Sequence, residues 1–230
     1  MEFSLHRELK ERYATSDDAD VEVRHGAYRV DVVRGRELVE IQHSGLSAIR
    51  RKVEELLATH KVRVVKPLVT AKLLVKRKRK SGPVVDRRWS PKRQTLIDAF
   101  DELVSFARLL PHKRLTMEIV PVVVEEWRRP GHGRRRRRRD NDFVIEDRVL
   151  IETESPVEIV KPADMLRLLP EPPPREFDTA ELANHLGVKR WIAQRIAYCL
   201  RESGVVRQVG KRGNALVYRL AVRNSRPKAA

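Results

Sequence analysis

The sequence predicts an α/β fold: a mixed sheet flanked by helices, followed by a small helix-and-hairpin domain. Hydrophobic periodicity switches between strand-like and helix-like along the chain, in the order helix, three strands, helix, strand, helix, strands. A stiff stretch, Pro170–Glu171–Pro172–Pro173–Pro174, then separates this region from a shorter one with its own helix and strand signals. The 230 residues leave room for two cores.

The first helix is expected over residues 2–14, with Leu5, Leu9 and Tyr13 on one stripe. Val21–Val23, Tyr28–Val33 and Glu37–Gln42 read as a three-strand meander, with Arg34–Gly35–Arg36 turning the last pair. Ser44 caps a helix over roughly 46–59, whose Leu46, Ile49, Val53, Leu56 and Leu57 face inward. Val62–Val65, apolar apart from Arg63, reads as a strand with both faces buried. Ala71–Lys80 runs from strand into a basic stretch that Ser81–Gly82–Pro83 interrupts. Ser90–Pro91 opens the longest helix, about 92–110, closed by Pro111. Leu115–Trp127 and Phe143–Glu152 are strands joined by a basic loop, 128–142, that contains six consecutive arginines, Arg134–Arg139. This first domain is expected over residues 1–169, the linker over 170–175 and the second domain over 176–222, with a basic tail at 223–230. In the second domain Asp178 caps a short helix to Leu186, and Gly187–Val188 turns into a longer helix, Lys189–Ser203. A hairpin follows around Gly210–Asn214. There is no internal repeat.

Forty-nine Lys and Arg against 32 Asp and Glu give a net charge of +17, clustered in runs. That balance points to a polyanionic partner, with nucleic acid ahead of a membrane surface. One cysteine, Cys199, excludes an internal disulfide framework and a multi-cysteine zinc site, and its place on an apolar helical face makes it a core residue. No apolar run approaches membrane-spanning length, and residues 1–14 are charged and amphipathic rather than a secretory signal. A cytoplasmic protein is expected, nucleoid-associated if prokaryotic. No Walker loop is present, which argues against an ATPase.

The chemistry concentrates in two adjacent strands. Asp31 lies on one; Glu40 and Gln42 share a face of the next, opposite Val39 and Ile41. Two acids converging from neighbouring strands would repel each other unless a cation lay between them, and their hard oxygens suit Mg²⁺. The plainer reading of each acid is a polar residue on an exposed strand face.

Asp31 followed by Glu40–Ile41–Gln42 resembles the PD-(D/E)xK nuclease superfamily, the fold of many restriction enzymes and junction resolvases. The resemblance covers about residues 1–127 and implies a restriction-endonuclease-like sheet with Mg²⁺ (or Mn²⁺) bound by Asp31, Glu40 and the Ile41 carbonyl. The family also uses an acid from the first helix. Glu2 falls within about 20° of Leu9 and Tyr13 on a helical wheel, whereas Glu8 is about 100° from Leu9, so Glu2 is the choice. His6 shares that face and is able to orient an acid. Gln42 departs from the family's lysine: it can position a water but brings no charge, and Lys52 on the following helix is a candidate replacement.

Residues 176–222 resemble a winged helix-turn-helix. The resemblance implies a recognition helix presenting Lys189, Arg190, Gln194 and Arg195 to the major groove, and a wing presenting Lys211 and Arg212. Trp191 is assigned to packing. Lys76, Arg77, Lys78, Arg79 and Lys80, with Arg87, Arg88 and Arg134, Arg135 and Arg136 of the arginine run, would hold DNA phosphates. The expectation is a metal-dependent DNA endonuclease positioned by a winged helix. Two readings stand beside it: a non-catalytic DNA-binding regulator with a degenerate nuclease fold, and RNA as substrate. Many relatives of this fold act as dimers, so a homodimer is compatible with the resemblance.

Overall fold

The computed structural model describes residues 3–15, 19–131 and 142–221. Helix α1 (Ser4–Tyr13) buries Leu5 and Leu9, the stripe expected from their spacing. Its first turn is fastened by Asp147, which accepts from the Ser4 amide at 2.8 Å and from the Ser4 hydroxyl at 2.6 Å. A carboxylate there also complements the positive end of the helix dipole.

Strands β1 (Ala19–His25), β2 (Tyr28–Arg34) and β3 (Glu37–Ile41) form the expected antiparallel meander. Gly26 and Gly35 stand at its two turns with φ of +59° and +54°, a backbone region that side chains disfavour. The register pairs Val32 with Val39 and Val33 with Leu38. A 3₁₀ turn (Leu46–Ile49) leads into α2 (Arg50–Leu57), which buries Val53, Leu56 and Leu57.

Strand β4 is longer than either strand expected there, running unbroken over Lys61–Arg77. Its Val65 carbonyl accepts from the Gln42 amide at 2.9 Å, and its Lys72 carbonyl accepts from the Ser90 amide at 2.8 Å. Pro67 falls between these two bonds, a stretch in which a residue without an N–H is tolerated. β5 (Val84–Trp89) pairs with the far end of β4 and was not anticipated as a separate strand. β6 (Leu115–Pro130) and β7 (Phe143–Thr153) form a second long hairpin, followed by β8 (Val157–Ile159). The strands lie in the order β1-β2-β3-β4-β6-β7, with β5 on β4 and β8 on β6. The class is α/β, a large mixed sheet flanked by helices.

The long helix expected over 92–110 does not form. Only a 3₁₀ turn (Leu96–Ala99) and a single turn of helix, α3 (Phe100–Leu103), are present. Beyond them Ser105, Phe106 and Leu109 each donate to the carbonyl three residues back, and the Ser105 hydroxyl also occupies the Glu102 carbonyl at 2.9 Å. These tighter bonds displace the i→i−4 ladder that the apolar spacing suggested.

The last segment matches expectation more closely. β9 (Glu176–Phe177) precedes α4 (Thr179–His185), α5 (Arg190–Glu202) and the hairpin β10 (Val206–Arg212) and β11 (Ala215–Leu220), and the three strands order β10-β11-β9. Asp178 caps α4, accepting from the amides of Ala180 and Glu181, while Glu181 accepts from the Asp178 amide. Cys199 is buried on α5, and burial pushes its thiol up to about 12.

The chain divides into two compact units. One comprises Met1–His43, Val65–Thr95 and Ile119–Pro156; the other comprises Ser44–Val64, Leu96–Glu118 and Val157–Ala230. The division therefore does not fall at the proline-rich stretch. Within that stretch Pro173 is buried, and the Pro172 carbonyl accepts from the His185 ring at 2.8 Å. The first unit is built around Leu5, Leu9, Val32, Val39, Ile41, Val65, Val120, Val122 and Val124. Among the described residues no helix is long and apolar enough to cross a membrane.

Candidate functional site

The polar residues expected at the site lie in the first unit, on the strands next to α1. Continuing the β2–β3 register places Asp31 opposite Glu40 on one face, with Val32 and Val39 on the other. Asp31 is partly exposed, whereas Glu40 is buried, with 4% of its surface accessible. The Asp31 carboxylate accepts from the Ile41 amide at 2.8 Å, which fixes one of its oxygens beside the turn of chain carrying the Glu40–Ile41–Gln42 motif.

His6 enters from α1. Its Nε2 lies 2.9 Å from the Ile41 carbonyl and 3.3 Å from the same Asp31 oxygen. A carbonyl only accepts, so Nε2 must carry the proton that is shared between them. One imidazole nitrogen thus addresses two of the three oxygen sources expected to hold a metal. The Asp147–Ser4 anchor at the start of α1 sets the position from which His6 reaches them.

Two further residues belong to this cluster. His43 stacks at a tilt beside His6, with ring centroids 5.8 Å apart, and meets the edge of Phe3. Burial lowers its pKa, and the neighbouring His6, Arg148 and Lys66 lower it further against the opposing pull of Asp31. Lys66 on β4 is buried and donates to the His43 carbonyl at 3.4 Å. A lysine directly after Val64–Val65 in a strand was the available signal for it, since charged residues are rarely buried without a purpose. Lys52 stands on α2, in the other unit.

Among the described residues no group of three or more His, Cys, Asp or Glu side chains is placed to hold a metal ion. Glu2, the acid expected from the helix, lies outside the described residues. Glu8 faces β7: burial pushes its carboxyl up, opposed by a hydrogen bond from the Leu150 backbone. The oxygens of Asp31, Glu40 and Ile41 are nonetheless of the type Mg²⁺ takes, an ion that commonly uses one or two carboxylates and completes its shell with water and phosphate.

The basic residues fall into three groups. Lys76, Lys78, Arg79 and Lys80 are exposed around the β4–β5 turn, with Lys76 3.5 Å from Asp86. Arg77 is more committed, lying over the Trp127 ring at 4.3 Å and near Glu146 at 3.7 Å. Arg87 pairs with Glu125. Arg134, Arg135 and Arg136 lie outside the described residues. Lys189, Arg190, Gln194 and Lys211 are exposed on α5 and the hairpin, while Arg195 pairs with Asp101 and Arg212 with Glu181. Trp191, expected to pack, is 47% exposed beneath the Arg195 guanidinium.

Fold and site together define an α/β protein carrying an acidic pair, a histidine bridge and several basic surfaces. The chain belongs to the family described as Domain of unknown function (DUF8091), whose model matches residues 3–160. It is also 31% identical to an uncharacterized protein of Treponema pallidum (strain Nichols) over 223 residues, covering 95% of this chain and 85% of that one. The family match spans the sheet and ends before β9, whereas the Treponema relative covers nearly the whole chain. No solved structure matches the chain.

Proposed function

We propose that this chain is a metal-dependent DNA nuclease of the PD-(D/E)xK kind, with residues 176–222 acting as a winged helix that holds the duplex. The observation that carries the reading is the convergence of an Asp31 oxygen and the Ile41 carbonyl on a single donor, His6 Nε2, beside the buried Glu40. Oxygens aimed at one point form a cation site once a cation outcompetes the imidazole. Mg²⁺ held by Asp31, Glu40 and Ile41 would polarise the scissile phosphate and acidify an attacking water. Gln42 would orient that water through its amide. Lys66 would supply the positive charge that the family's lysine brings and Gln42 lacks, and His6, displaced from the oxygens, would be free to meet a phosphate.

The basic β4–β5 turn and the exposed face of α5 support DNA as the partner. Asp101 and Glu181 tie Arg195 and Arg212, so Lys189, Arg190, Gln194 and Lys211 are the better candidates for contact in the C-terminal segment.

The non-catalytic reading is favoured by two features: His6 Nε2 already bridges the two oxygens, and Gln42 carries no charge. Cleavage of labelled duplex, nicked, flapped and branched DNA, with Mg²⁺ and with Mn²⁺, separates the two. Cutting by the wild type but not by Asp31→Ala/Glu40→Ala supports the nuclease. Tight binding without cutting, unchanged in the double variant, leaves a DNA-binding regulator.

A further inference from the structure

A second polar site lies in the same unit, where the ends of the β4–β5 and β6–β7 hairpins enclose a cleft of about 590 Å³. Lys78 and Arg88 line it from the first hairpin, Arg128 and Arg129 from the second. Between these cations Val85, Pro130 and Phe143 make an apolar stretch of wall, and one acid, Asp142, also lines the cleft. The volume suits a ligand of nucleotide size and is far too small for a duplex.

The cations are held in fixed positions. Glu126, fully buried, binds Arg128 through Nε at 2.7 Å and Arg148 through Nε at 2.9 Å. So anchored, the Arg128 guanidinium lies 3.8 Å from the centre of the Phe143 ring. Arg129 is 3.3 Å from Glu146. Lys78 makes no ion pair among the described residues and is exposed at the mouth. Acids thus orient the arginines, Arg88 included, whose Nε lies 3.6 Å from Asp86, while Lys78 is exposed.

The combination discriminates between nucleic-acid forms. An intact duplex offers a protein its phosphates and groove edges, and its base faces are hidden in the stack. An apolar wall with a planar guanidinium against an aromatic ring has nothing to touch on such a duplex. An unpaired base has two open faces, which aromatic rings and guanidinium planes take up, while its phosphates meet the surrounding cations.

We infer that this cleft binds an unpaired nucleotide of a single-stranded segment, with the base against Val85, Phe143 and the Arg128 plane and the phosphates against Lys78, Arg88 and Arg129. This deepens the nuclease reading by naming the substrate's form, and it rests on that reading only for nucleic acid being the partner.

The test is the full chain in EDTA, titrated into labelled 12-nucleotide poly-dT and into a blunt duplex of equal length, with inorganic polyphosphate as competitor. Poly-dT should bind at least about tenfold more tightly than the duplex, a difference within the range of stacking one base. Phe143→Leu, which keeps the apolar packing and removes the ring, and Lys78→Glu, on the surface, should each weaken poly-dT by about tenfold. Phe143→Leu should leave duplex binding unchanged. The Asp31→Ala/Glu40→Ala variant should bind poly-dT like the wild type. Equal affinity for duplex, displacement by polyphosphate at equal charge, or poly-dT binding indifferent to both cleft substitutions would overturn the inference. Poly-dT binding without cleavage of any DNA would retain this cleft and remove the nuclease reading; cleavage with failed poly-dT binding would do the reverse.

Discussion

The Nε2 of His6 lies 2.9 Å from the carbonyl oxygen of Ile41, a backbone atom that the proposed metal site would use. The same nitrogen reaches Asp31 at 3.3 Å. A helix residue and a strand residue are thereby joined across the place where a cation would sit, and imidazole and cation become competitors for one position.

Removing the imidazole should therefore separate stability from metal affinity. His6→Ala is expected to lower the metal-free melting temperature, by an amount corresponding to about 1 kcal/mol for the lost hydrogen bond. It should also enlarge the stabilisation gained from sub-saturating Mn²⁺, since binding to the folded state adds stability in proportion to affinity. Thermal unfolding with and without Mn²⁺ reads both, and an unchanged Mn²⁺ gain would mean that His6 and the ion do not compete.

Gln42 is the position where this chain departs from the nuclease pattern. Gln42→Lys is expected to raise the rate of DNA cleavage, by up to about a hundredfold, the lower end of what one well-placed charge-stabilising donor supplies. Single-turnover cleavage at saturating enzyme measures it. No gain would indicate that Lys66 already fills that role or that the site does not turn over.

Glu126 gives the first unit an acid-sensitive centre. Burial raises its pKa, but Arg128, Lys72 and Arg148 outweigh burial and hold it below the ordinary glutamate value of 4.5. A folded-state value below the unfolded one contributes stability that is complete above about pH 4.5 and is lost as pH falls through the lowered value. Glu126→Gln should cost about 2–3 kcal/mol at pH 7, less than a fully buried pair because the three cations are partly exposed. It should also flatten the acid limb of the stability–pH curve, as followed by urea unfolding between pH 3 and 7.

Asp178 fastens the start of α4 through two backbone amides. Those hydrogen bonds, from Glu181 and Ala180, together with the nearby Arg212 hold its carboxyl below the usual range despite its burial. Asp178→Ala is expected to cost about 1 kcal/mol, whereas Asp178→Asn should retain most of the cap. If residues 176–222 hold DNA, the alanine variant should also weaken duplex binding while poly-dT binding in the cleft persists.

Short-range chemistry was the legible part of this chain. The Leu5–Leu9 stripe, the Gly35 turn and the Asp178 cap each depend on neighbours a few residues away, and each stands where the pattern put it. The helix over 92–110 was misread because its apolar spacing is helical, while Ser105 and a run of i→i−3 bonds, invisible to periodicity, break it. Continuous β4 was hidden by Pro67, whose tolerance depends on which neighbour pairs where. At the site, Asp31 and Glu40 share a face because strand alternation dictates it. Lys66 was missed because its burial beside His43 is set by tertiary contact, and His43, one residue past Gln42, because its neighbours His6 and Phe3 come from α1. The cleft at the two hairpin ends was equally out of reach, since Arg88, Arg128 and Phe143 are brought together only by the sheet.

Crystals soaked in Mn²⁺ and measured at the manganese absorption edge would test the central claim most directly. The account predicts one anomalous peak among the carboxylates of Asp31 and Glu40 and the carbonyl of Ile41, with the His6 ring turned away from Ile41. An imidazole still bonded to Ile41 with no peak between those oxygens, at Mn²⁺ concentrations that support DNA cleavage, would contradict it.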